Sequence, residues 1–64
     1  MKKLNYTNSE ITRRIDDLIH NAKHREILKD RLIDGLTYDE LAEKHRYSVT
    51  HIKTIVYKGE AKIF

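Results

Sequence analysis

The sequence predicts an all-α fold, a small bundle of four short helices. Three observations point there. Proline is absent, and only two glycines occur in 64 residues, so strong helix breakers are scarce. Apolar residues recur at three- and four-residue intervals along most of the chain. Three hydroxyl residues, Thr7, Thr37 and Ser48, each stand just ahead of such a periodic stretch, where a helix N-cap belongs.

Residues 1–6 read as a basic, frayed lead-in. The first helix begins at Thr7, because Thr7 and Glu10 have capping-box spacing. Ile11, Ile15, Leu18, Ile19 and Ala22 follow as one apolar stripe. Asn21 marks a break, since Asn tolerates left-handed backbone angles. A second helix covers roughly 23–34, with Ile27, Leu28 and Leu32 on its main apolar face. Ile33 falls about 160° from the centre of that face at roughly 100° per residue, so it packs on a second side or meets a partner. Gly35 suits the left-handed position after a helix, and Leu36 can fold back as the accompanying hydrophobic contact.

The third helix opens on a second capping box, Thr37 to Glu40, whose acidic first turn suits the helix dipole. Leu41 and Ala42 point inward, and the helix is short, to about His45. Ser48 caps the fourth helix. Val49, Ile52, Ile55 and Val56 share one face, Gly59 ends the helix, and residues 60–64 form a tail.

Sixty-four residues allow one small domain with a marginal core. Without cysteine there are no disulfides, thiolate zinc sites or thiol nucleophiles, and a cytoplasmic protein is expected. The longest apolar run is Ile55-Val56-Tyr57, which argues against a membrane span or a signal peptide. No phosphate-binding glycine loop is visible. Thr37 and Ser48 lack an accompanying base. A pocket of about 300 Å³ or more is hard to line from so small a core. An enzyme, a cofactor, a small-molecule substrate and a metal site are therefore not expected. His20 and His24 have metal-ligand spacing on a helix, but they straddle the break and lack a third ligand. Asp16-Asp17 and Asp39-Glu40 read as surface charges and caps, and Arg13-Arg14 as a solvated pair that Asp16 and Asp17 nearly cancel.

Two short helices joined by a turn, the second with a polar outer face, form a helix-turn-helix pattern over 37–58. Ala42 sits where the two helices must cross closely, and Tyr47 can plug the space below the turn. The stretch Asp34-Gly35-Leu36-Thr37-Tyr38-Asp39-Glu40-Leu41-Ala42-Glu43 is the most specific part. With its lead-in from Arg25 and the run Tyr47-Ser48-Val49-Thr50-His51-Ile52, it resembles the promoter-reading fourth domain of bacterial sigma factors. It is also similar to small sigma-like regulators of phages and mobile elements. The resemblance covers residues 25–58, and the first helix lies outside it. Where the family pattern has an apolar residue and then glycine ahead of the Tyr47 position, this chain has His45 and Arg46. A non-glycine residue at positive φ costs roughly 1 kcal/mol or more.

Function follows from the fourth helix. Thr50, Thr54, Tyr57 and Lys58 face outward there, with His51 and Lys53 on the flanks. Hydroxyls, cations, an imidazole and a phenol can all hydrogen-bond base edges or phosphates, and a threonine methyl can meet a thymine methyl. The charge is uneven: residues 44–59 carry +4 without an acid, while 36–43 carry −3. The sequence thus predicts a sequence-specific DNA-binding protein, a transcriptional regulator whose helix 49–58 enters the major groove. Thr50, His51, Lys53, Thr54 and Tyr57 are the expected base-reading residues. Thr37, Tyr38, Arg46, Tyr47, Ser48 and Lys58 are expected on the DNA backbone. Base-reading chemistry is thin, since the outer face lacks Arg, Asn and Gln, so a homodimer or RNA polymerase is an expected partner. The four histidines would strengthen DNA binding in mild acid, near pH ~6.5. The alternative is a phage- or plasmid-type protein-interaction module that uses the same scaffold to bind a host protein. Its motive is the apolar set Ile33, Ile63 and Phe64, a candidate partner surface.

Overall fold

The computed structural model describes residues 6–64. The lead-in expected at 1–6 thus lies outside the described residues except for Tyr6. Four helices follow in order: α1 (Asn8–Leu18), α2 (Ala22–Leu32), α3 (Tyr38–His45) and α4 (Val49–Ile63). Among the described residues there is no strand, and no helix is long and apolar enough to cross a membrane.

Each helix starts on a side chain that accepts backbone N–H groups. Thr7 and Glu10 close the first capping box, and Thr37 and Glu40 close the second. Ser48 Oγ accepts from His51 N at 3.1 Å. Asn21 does the same work for α2, accepting from Lys23 N and His24 N at 2.9 and 3.1 Å. The break at Asn21 is thus real, but its cause is an N-cap with φ −79°, not a left-handed residue. It shortens α1 to Leu18, leaves Leu18 exposed and moves Ala22 into α2.

The core is one cluster from all four helices: Ile11, Ile15 and Ile19, then Ile27 and Leu28, Leu41, and Ile52, Ile55, Val56 and Ile63. α4 is its central post, in contact with each of the other three helices. Gly59 does not end α4, which runs one more turn to Ile63. Gly59 is buried where α4 crosses α2: a Cβ built on it would lie 2.5 Å from Leu28 Cδ1. A side chain there would press on the buried Leu28, so glycine suits this contact.

That extra turn reassigns the apolar residues set aside for a partner. Ile63 is fully buried and belongs to the core. Phe64 is half-buried against Tyr6, ring centroids 5.3 Å apart. Arg14 lies over the Tyr6 ring and donates to the Ile63 carbonyl at 3.0 Å, fastening the end of α4 to α1. Ile33 caps α2 in a right-handed helical conformation and is half-buried against the core. Gly35 takes the positive φ expected of it, +76°, and Leu36 N folds back to the Asp30 carbonyl at 3.1 Å.

Candidate nucleic-acid interface

α3 and α4 are joined by three residues, Arg46, Tyr47 and Ser48. Arg46 sits at φ 62°, ψ 41°, the left-handed conformation usually left to glycine. Its N–H and that of Tyr47 both return to the Ala42 carbonyl, so the chain reverses tightly. Ala42 and Tyr47 are both half-buried against the core.

His45, just before the turn, occupies an apolar position and is buried. Its Nε2 lies 3.0 Å from Asp30 Oδ2, and Asp30 is itself buried on α2. The same carboxylate oxygen lies 2.8 Å from Lys44 Nζ. Burial alone would raise the Asp30 carboxyl, but hydrogen bonds from Lys44 and His45, and the Lys44 charge, outweigh it. The carboxyl is held below its usual value of 3.8. The Asp30 partner raises the Lys44 ammonium above 10.5. Glu26, Asp30 and His45 bring three ligand-type atoms within 4.8 Å of one another, a grouping that sequence spacing does not reveal. The Lys44 ammonium already supplies positive charge at that carboxylate, so the cluster reads as a paired structural site.

The outer face of α4 carries Thr50, His51, Lys53, Thr54, Tyr57 and Lys58, all exposed. Thr50, Thr54 and Tyr57 form its outermost ridge, one helical turn apart in succession. Thr54 Oγ1 donates to the Thr50 carbonyl at 3.1 Å, so its hydroxyl keeps its lone pairs and its methyl for a partner. Lys53 lies on one side of the ridge, its Nζ 5.7 Å from the centre of the Tyr38 ring. Tyr38 also meets Tyr57 edge-on at 6.2 Å and holds the Arg31 guanidinium over its face at 4.4 Å. Burial and contact with Tyr57 push the Tyr38 phenol above 10, against the pull of Arg31. On the other side of the ridge, His51 stacks on Tyr47 at 4.6 Å, the rings 16° from parallel.

The structure thus brings the expected base-reading residues onto one helix face. It sets Tyr38, Arg46, Tyr47, Ser48 and Lys58 around them, with Thr37 exposed at the start of α3. Lys44 is different: its charge is committed to Asp30, behind the turn. Two cations beside this region were missed. Arg31, in the last turn of α2, reaches it by packing over Tyr38 and also donates to the Leu36 carbonyl. Lys62 joins Lys58 one turn further along α4, which the Ile52, Val56 and Ile63 spacing could have shown.

The structure also corrects the expectation that so small a core lines no sizeable pocket. A groove of about 390 Å³ lies between the α1–α2 junction and α4, with Thr54 and Lys58 at its edge. Comparison with protein families, curated proteins and solved structures found no match to this chain.

Proposed function

We propose that the protein is a sequence-specific DNA-binding transcriptional regulator, with α3, the turn at 46–48 and α4 acting as a helix-turn-helix. One observation carries the reading. The Thr50–Thr54–Tyr57 ridge is exposed, flanked by Lys53 and Lys58, and no acidic residue occurs from 44 to 59. Such a surface suits the major groove, where a helix face presents hydrogen-bonding groups to base edges and cations to phosphates.

The roles follow from position. Thr50 and Thr54 offer hydroxyl acceptors and methyl groups to bases, with Lys53, His51 and Tyr57 beside them. Ser48 caps α4 and leaves Val49 N and Thr50 N at its start for a phosphate. Arg46, Tyr47, Lys58, Thr37 and the Tyr38 phenol flank that position and serve the backbone.

The described chain measures 29 × 21 × 16 Å, less than one turn of duplex, about 34 Å. One copy therefore suits one half-site, and two copies on a repeated site supply the specificity that thin base chemistry lacks. The protein-interaction alternative has lost part of its motive, because Ile63 is core and Phe64 packs on Tyr6. Selection of binding sites from random duplexes, followed by gel shift, tests the reading. A selected site bound at least tenfold tighter than scrambled duplex supports it. Equal affinity for all duplexes, or none, removes it.

A further inference from the structure

The groove beside α4 has a composition that duplex binding does not require. Its floor is apolar, made by Ile19, Leu28, Ile55 and the bare backbone at Gly59. Its edge is cationic or protonatable: His20 and His24 from the α1–α2 junction, His51, Lys58 and Lys62 from α4. No acidic side chain lines it. Its volume, about 390 Å³, falls in the range of small-ligand sites, roughly 300–1,000 Å³, and is too small for a helix of another protein. Asn21, the N-cap of α2, lines the groove at the α1–α2 junction, and the buried Gly59 lines it where α4 packs on Leu28.

We propose that this groove binds a small amphiphilic carboxylate, an aliphatic or aromatic body carrying one anionic head. The apolar body covers the floor, and the head is held by the Lys58, Lys62 and histidine edge. Each half of the ligand answers one half of the groove: a phosphate ion would leave the floor bare, and a neutral hydrocarbon would leave the edge unanswered. His51, Thr54 and Lys58 line the groove and also belong to the face proposed to meet DNA. Occupancy and duplex binding therefore compete, and the ligand acts as an anti-binding effector. This last step rests on the DNA reading; the ligand site itself does not.

The test uses the full chain with isotope-labelled methyl groups and three probes: octanoate, octanol and acetate. Saturable shifts at the Ile19, Leu28 and Ile55 methyls are expected with octanoate, at an affinity at least tenfold above octanol and acetate. His20→Glu changes an exposed residue away from the proposed DNA face and Lys62→Glu an exposed residue beside it, and each is expected to weaken octanoate at least fivefold with the methyl spectrum otherwise intact. Octanol equal to octanoate, acetate equal to octanoate, unchanged affinity in both variants, or no saturable shift overturns the site. On a selected duplex, saturating octanoate is expected to weaken binding at least fivefold. Octanoate and duplex bound together without mutual effect overturns the competition. A chain that binds octanoate as stated but binds no duplex refutes the DNA reading and leaves the ligand site standing.

Discussion

His45 Nε2 and Asp30 Oδ2 meet at 3.0 Å inside the protein, joining the last turn of α3 to the last turn of α2. This contact explains how a histidine occupies an apolar position ahead of the turn. The imidazole is satisfied by a carboxylate, and the carboxylate also takes the Lys44 ammonium. Among the described residues no buried side-chain nitrogen or oxygen lacks a partner. A buried polar pair of this kind fixes one packing of α3 on α2, and so the placement of the turn that follows.

Breaking the pair from one side is costly. Asp30→Ala leaves His45 buried without its acceptor and is expected to destabilise the fold by about 3 kcal/mol. Asp30→Ala combined with His45→Leu is expected to recover much of that loss, since two apolar groups need no partner. Chemical denaturation of the four members of the cycle measures the coupling. Additive losses would show that the two side chains do not depend on each other.

The same carboxylate sets an acid limit. Its folded-state pKa lies below 3.8, so the stability it contributes is complete above the unfolded value and is lost as pH falls through the folded one. The denaturation midpoint of Asp30→Asn is therefore expected to fall less steeply below about pH 4 than that of the parent chain. Parallel profiles for the two proteins contradict the assignment.

Arg46 at φ 62° is strained for an L-residue by about 1–2 kcal/mol, and glycine removes that strain at an entropic cost of about 0.4–1. Arg46→Gly is thus expected to raise stability by about 0.5–1 kcal/mol. If Arg46 meets a phosphate, the same change lowers duplex affinity and reduces the salt slope by about 0.9. Thermal melts and a salt series read the two effects separately. A variant that is both less stable and unchanged on DNA would contradict both halves.

Gly59→Ala brings a Cβ within 2.5–3.0 Å of three Leu28 side-chain carbons, and Leu28 is fully buried. Overpacking of this kind costs about 1–3 kcal/mol, against a gain of about 1 kcal/mol in helix propensity. A net loss of about 1 kcal/mol is expected. Gly59→Ala with Leu28→Ala should cost less than the two single changes together, because the clashing methyls are gone. A stabilising Gly59→Ala would show that α2 and α4 separate freely.

The helix starts were legible because each capping signal is local: Thr7, Thr37 and Ser48 sit where a side chain within three residues decides the boundary. The α4 face was legible for a similar reason, since helical spacing alone groups Thr50, Thr54 and Tyr57. What was not legible depends on distant partners. Gly59 looks like a terminator in sequence and becomes an interior residue only because Leu28 packs against it. Ile63 looks spare until the extra turn carries it into the core. Asp30 carries no local signal of burial, and its partners Lys44 and His45 lie fourteen and fifteen residues away. The groove brings Ile19 to His24 together with Leu28 and with His51 to Lys62, residues that no single stretch of sequence contains.

The central claim is that the Thr50–Thr54–Tyr57 ridge and its flanking lysines read DNA. The most direct test is affinity for a selected duplex, across a salt series, for the parent chain, Thr54→Ala and Lys53→Ala. Thr54→Ala is expected to lose about 1–2 kcal/mol on the selected site and little on scrambled duplex, with the salt slope unchanged. Lys53→Ala is expected to weaken binding and, where it meets a phosphate, to reduce the slope by about 0.9. Parent-like affinity, specificity and salt slope in both variants would contradict the claim.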